Sequence, residues 1–228
     1  MLIALAAAKG GAGKTTLAVA LADLLSARGL KVLLVDMDHQ ASATEALGVR
    51  PPKEALRWVE QPVRPLVVRE GLHLYPSGKD LEYHLSRVAL GMLPMPRLPK
   101  AHYDVVIIDT ARGSIHHERS LLAEADRVLI PALMEPAAAV GVRRLAVELP
   151  SAFIVPNRYD RRARYARSLL EALRRAYGAW PEGRVLPPVR FSLALQQLYG
   201  TGFLLHRMET ESARKAIEDL ETIIRCLL

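Results

Sequence analysis

Lys9-Gly10-Gly11-Ala12-Gly13-Lys14-Thr15-Thr16 stands between a continuous apolar run, residues 2–8, and an amphipathic run, residues 17–27. The first run has the pattern of a strand buried on both faces. The second has helical spacing through Leu17, Ala20, Leu21, Leu24 and Leu25, and stops at Gly29. A strand, a glycine-rich turn and a helix in that order aim backbone N–H groups into a concavity at a helix N-terminus, where a phosphate chain is stabilised. Lys14 is placed to reach the β- and γ-phosphates, and the Thr15 hydroxyl to bind Mg²⁺. Gly10, Gly11, Ala12, Gly13 and Thr16 complete the cradle. The common pattern G-x-x-x-x-G-K-[ST] has glycine where Ala8 stands, and it needs only one lysine. Lys9 is a second, at the head of the loop.

Outward from the loop, the chain alternates strand and helix. Residues 31–36 (KVLLVD) are predicted as a second buried strand, and Ser42 to Leu47 as a short helix closed by Gly48. Further strands are expected over 72–75, 103–109, 127–131 and 152–156, with an edge strand over 184–188. Helices are expected over 53–60, 81–92, 137–149, 161–177, 193–199 and 209–228. The rhythm implies an α/β fold: a mostly parallel, twisted sheet of about seven or eight strands with helices on both faces, in one domain over 1–228.

Bulk composition sets the outer bounds. Hydrophobic residues make up 50% of the 228-residue chain and aromatics only 5%, so the core is aliphatic. No run of 18 apolar residues exists to cross a membrane. The apolar start lacks a basic lead and runs straight into the loop, unlike a secretory leader. One cysteine, Cys226, precludes an internal disulfide and suggests a reducing, cytoplasmic setting. The net charge of +7 favours polyanionic partners.

Ligands of open α/β sheets sit beyond the carboxyl ends of the strands. The second strand ends in Asp36-Met37-Asp38-His39-Gln40, and the strand over 103–109 ends in Asp109. Carboxylates there can hold hydrated Mg²⁺ and orient a water; they can also cap the following helix. The loop at Lys9–Thr16, the stretch Asp36 to Thr44 and the run Val105 to Asp109 together resemble the ParA/MinD group of P-loop ATPases, which carries K-G-G-x-G-K-[ST] and D-x-D-P-Q-x-x-x-T. The resemblance implies ATP and Mg²⁺ as ligands. It implies that Asp36 supports the magnesium shell, that Asp38 positions or activates the water, and that Asp109 holds the ion through its waters. It also implies that Lys9 reaches the nucleotide of a partner subunit, in a homodimer with ATP sandwiched between the copies. Asn157 follows the strand whose end meets the purine. It can read an adenine edge or act as a turn residue. Two departures stand out: His39 replaces the proline of the family pattern, and Thr110-Ala111-Arg112-Gly113 replaces its Pro-Pro segment. Arg112 is either a surface residue or a finger on the γ-phosphate.

Arginines crowd the second half of the chain. Arg161, Arg164, Arg167 and Arg190 are candidate contacts to non-specific DNA, since phosphate neutralisation needs no base reading; the alternative is a solvated face. With the first strand beginning at Leu2, the chain resembles the short ParA class, which has no operator-binding domain of its own. The function implied is slow ATP hydrolysis, stimulated by a ParB-like protein, in plasmid or chromosome partitioning on the nucleoid. Two alternatives are a MinD-like ATPase bound to membrane through residues 209–228, and a nucleotide switch with little hydrolysis.

Overall fold

The computed structural model describes residues 1–7, 10–51, 64–78, 80–92, 98–111, 121–198, 202 and 204–228. Among these, seven strands form one sheet: β1 (Leu2–Leu5), β2 (Val32–Met37), β3 (Leu66–Arg69), β4 (Leu72–Tyr75), β5 (Val105–Thr110), β6 (Arg127–Leu133) and β7 (Phe153–Asn157). Their order is β3-β4-β2-β5-β1-β6-β7, and every neighbouring pair is parallel except β3 on β4. Strands β1, β2 and β5 are buried at every residue, which is why they read as unbroken apolar runs.

Both faces are covered by helices. On one lie α1 (Lys14–Ala27), α2 (Ser42–Ala46), α6 (Leu193–Gln197) and α7 (Glu211–Leu227), whose Leu17, Leu21 and Leu220 share a cluster with Ile3, Leu34 and Ile107. On the other lie α3 (Leu81–Ala89), α4 (Ala139–Glu148) and α5 (Arg164–Tyr177); here Leu85, Leu145 and Leu170 pack with Leu2, Val106 and Ile108. The apolar stripe of α7, with Leu220, Ile223, Ile224 and Leu227, is buried in the first core. It therefore has no free apolar face of the kind an interfacial helix lays on a membrane. No described helix is long and apolar enough to cross one.

The expected α/β sheet is present, with differences at its margins. β3 was not foreseen: it is a four-residue edge strand after Pro65, with Leu66 and Val67 exposed, so burial imprints no pattern on it. The edge strand expected over 184–188 is instead a chain running beside β7 through isolated bridges at Val185. Pro187 and Pro188 have no N–H with which to continue a ladder. Helix α5 begins at Arg164 rather than at residue 161, because Asp160 accepts from the Arg162 N–H and holds a turn there. The helix expected over 53–60 lies outside the described residues.

Candidate nucleotide-binding site

The phosphate loop leads into α1 with Gly13 as the cap residue. Gly13 has φ +93°, no side chain to cap the helix, and no acidic residue in the turn that follows. The first N–H groups of α1 and the positive end of its dipole are thus left for an external anion. A Cβ at Gly13 would lie 2.2 Å from Asn157 Nδ2. That close approach has a cause: Asn157, at the end of β7, donates from Nδ2 to the Ala12 carbonyl at 2.9 Å and accepts the Arg158 N–H at its Oδ1. The contacts Asn157 makes are with protein backbone, and they fasten the loop to the sheet. Lys9 and Arg112 lie outside the described residues.

Asp36 and Asp109 are register partners on the adjacent strands β2 and β5, and both are fully buried. Asp36 Oδ2 accepts the Thr44 N–H at 2.8 Å and the Thr44 hydroxyl at 2.7 Å, while Oδ1 accepts the Asp38 N–H. The Thr44 oxygen in turn accepts the N–H of Ser77, beyond β4. Asp36 thereby shapes the turn from Asp38 to α2. In that turn Asp38 Oδ1 accepts the Gln40 N–H, and Ala41 takes a left-handed φ of 52°, uncommon for a residue with a Cβ. Asp109 is the opposite case. Neither of its carboxylate oxygens meets a donor at hydrogen-bond geometry among the described residues.

Burial raises both acids, Asp36 to about 7 and Asp109 to about 6. The charge of Asp109 pushes Asp36 further up, against the pull of its Thr44 and Asp38 donors. Lys14 and Thr15 pull Asp109 down, and the nearby Asp38 pushes it up. A buried carboxylate with no donor, beside a loop lysine and a loop threonine, fits a hydrated cation. Among the described residues no three His, Cys, Asp or Glu side chains form a metal cluster. Mg²⁺ takes one or two protein oxygens and completes its shell with water and phosphate, the donor set that Asp109 and Thr15 offer here.

A cavity of about 440 Å³ opens over this arrangement, within the usual range for small-ligand sites. It is lined by the seven loop residues from Gly10 to Thr16, by Asp38 and Ser42, and by Asn157, Arg158, Phe191 and Gln196 among others. Residues 1–152 match a family model described as an AAA domain. The chain belongs to the ParA/MinD-type P-loop ATPases. It is 37% identical over 150 residues to the chromosome-partitioning ATPase Soj of Thermus thermophilus, a match covering 64% of this chain and 60% of that protein. It is 34% identical over 197 residues to the probable plasmid-partitioning protein ParA of the same organism, covering 72% and 60%. The chain therefore matches about 60% of the length of each Thermus relative. Apo McdA from Cyanothece shares the fold, with a TM-score of 0.77 over 97% of this chain and 98% of that one at 23% identity. Cobyrinic acid a,c-diamide synthase from Mycobacterium smegmatis, with an ATP analogue and magnesium bound, superimposes with a TM-score of 0.73 at 25% identity, covering 98% and 94%.

The candidate DNA contacts separate in the structure. Arg161, Arg164 and Arg167 are exposed at the start of α5, and Arg167 donates to the carbonyls of Arg161 and Arg162. Arg190 is set apart from them. Its guanidinium is taken by Asp219 and Glu218, which hold its pKa above the ordinary range, so its charge is already met within the fold. Ser42, Arg158, Phe191, Ser192, Leu195 and Gln196 also line the cavity and are not among the residues that sequence singles out for the site. Arg158 directly follows Asn157, and that adjacency was the available signal.

Proposed function

We propose that this protein is a Mg-ATP-dependent, dimerising ATPase that binds DNA without sequence preference and acts in partitioning plasmid or chromosome DNA. The observation that carries the reading is the buried carboxylate of Asp109 beside Lys14 and Thr15, with no donor at strict hydrogen-bond geometry among the described residues. A buried anion of that kind is costly unless a cation meets it. Thr15 and Asp109 would hold the ion, which when bound supplies positive charge to the β- and γ-phosphates. Lys14 and the N–H groups from Gly10 to Thr16 bind the phosphate chain and stabilise charge as the γ-phosphoryl leaves. Asp38, on the cavity wall, orients the attacking water. Asp36 acts at one remove, since its oxygens fix the backbone that carries Asp38.

Lys9 is assigned to the partner's nucleotide across an ATP-sandwiched homodimer. The exposed arginines Arg161, Arg164 and Arg167 are assigned to DNA phosphates, and two copies would raise avidity. Names among the curated relatives support the partitioning role, and a ParB-like protein is the expected stimulator of slow turnover. Size-exclusion chromatography with ATP and with ADP tests the reading, on the native chain and on Lys9→Ala. A dimer seen only with ATP, and lost in Lys9→Ala, is expected. A monomer under every condition overturns the sandwich.

A further inference from the structure

A second, more open groove of about 790 Å³ adjoins the nucleotide cavity, and the two share Arg158, Arg190, Phe191 and Gln196 as a common wall. Three aromatic side chains are more than half exposed among the described residues: Tyr83, Tyr165 and Phe191. Two of them line this groove, Tyr165 at 53% and Phe191 at 51% exposed. In a chain with only 5% aromatic residues, that pairing is not a matter of abundance.

The charges in the groove divide into met and unmet. Arg190 is held by Asp219 and Glu218, Arg162 by Asp160, and Lys215 by Glu211. Arg158 and Arg161 are exposed, and neither forms a salt bridge among the described residues, although the charge of Arg161 is felt by the neighbouring Asp160. The one lining acid outside these pairs is Glu135, so the unpaired balance is positive. Arg158 is also held in place. Its N–H is bound by Asn157 Oδ1, and its φ of 55° is left-handed, so its side chain leaves the boundary of both cavities from a braced backbone.

Two accessible aromatic faces beside two unmet guanidinium groups are the parts of a site that stacks bases and tracks phosphates. We propose that this groove binds single-stranded nucleic acid, with bases stacked on Tyr165 and Phe191 and phosphates on Arg158 and Arg161. A base inside a duplex already has both faces covered by its neighbours and cannot make these contacts. The site thus shares Arg161 with the duplex-binding arginines proposed above and differs from them in its two stacking faces and in Arg158.

The test uses the full chain with saturating Mg-ATP, so that the nucleotide cavity is filled. Fluorescence anisotropy would follow a labelled ten-nucleotide oligothymidylate and a duplex of equal length, with thymidine monophosphate as competitor. The strand should bind at least tenfold tighter than the monophosphate. Tyr165→Ala should weaken strand binding about tenfold, as expected for one lost base stack, and leave the duplex alone. Tyr165→Phe should restore strand binding to within about twofold, and thermal melts would show both variants folded. Arg161→Ala should reduce the salt slope for the strand by about 0.7. Equal losses for strand and duplex, or no loss in Tyr165→Ala, overturn the proposal. Competition by the monophosphate as strong as that of the strand overturns it too, in favour of a free nucleotide. ATP-dependent duplex binding lost in Arg164→Ala is a separate readout, so either reading can fail while the other stands.

Discussion

The ends of β2 and β5 carry the same side chain at the same register and the same depth, yet the two do different work. At the end of β2, Asp36 receives three hydrogen bonds from its own chain. At the end of β5, Asp109 receives none among the described residues. Desolvation penalises both charges, but only Asp36 meets donors at hydrogen-bond geometry among the described residues, while Asp109 has the weaker pull of Lys14 and Thr15. The lesson is that a buried acid at a strand end is not by itself a ligand site. The distinction lies in whether the fold has already satisfied it.

Substituting each acid with alanine separates the two strand ends most strongly. Asp109→Ala should lower steady-state phosphate release by 100-fold or more, since the reacting charge loses its cation. It should not lower, and should raise, the melting temperature of the nucleotide-free protein, because the desolvation of the buried charge outweighs the pull of Lys14 and Thr15 on it. Asp36→Ala should do the reverse to stability. It strands the N–H groups of Thr44 and Asp38, at about 1–3 kcal/mol for each unmet group, and should lower the melting point by roughly 2–4 °C per kcal/mol. Equal shifts in the two variants would erase the difference between the two acids. Thr44→Val is a smaller probe of the β2 end. It removes the hydroxyl that links Asp36 to Ser77 and should cost about 1–3 kcal/mol, read as a shifted denaturation midpoint with unchanged m-value.

The smallest effect is on pH dependence. The folded-state value of Asp109 is raised from an ordinary 3.8 to about 6, so the folded chain holds this proton more tightly than the unfolded one. The stability that comes with protonation is complete below about pH 4 and lost as pH rises through about 6. Without magnesium, the melting-point advantage of Asp109→Ala over the native chain should therefore widen by a few degrees from pH 5 to pH 7. An advantage that stays constant across that window contradicts an orphaned charge at β5.

Much of this contrast was visible in the chain before its fold. The runs that became β1, β2 and β5 are apolar without interruption because water reaches neither face, and the acids closing two of them mark where burial meets the ligand side. The loop from Gly10 to Thr16 is legible because its glycines and lysine answer one steric and electrostatic demand. What sequence does not show is which acid is satisfied: Thr44 lies eight residues from Asp36, and its hydroxyl is committed by the path of α2. Asn157 illustrates the same limit. Its amide could serve a purine or the backbone, and only the 2.9 Å approach to Ala12, 145 residues away in sequence, shows that it holds the loop. β3 escaped because an exposed four-residue edge carries no periodic signal. The partner of Arg190, Asp219 on α7, is likewise set by tertiary packing and leaves no local signal.

The brace between the cavity wall and the last helix has a practical consequence. Arg190 is bound to Asp219, and the Ser192 hydroxyl lies 3.0 Å from that of Ser212, so the segment carrying Phe191 is riveted to α7 at two points. The chain's one cysteine, Cys226, stands on the same helix, half-buried, with its thiol pushed up by burial. An environment-sensitive dye attached there at mildly alkaline pH would label the protein at a single position without any engineering. A change in its emission on adding Mg-ATP would show that filling the cavity is felt at the far end of α7, and an unchanged emission would show that it is not.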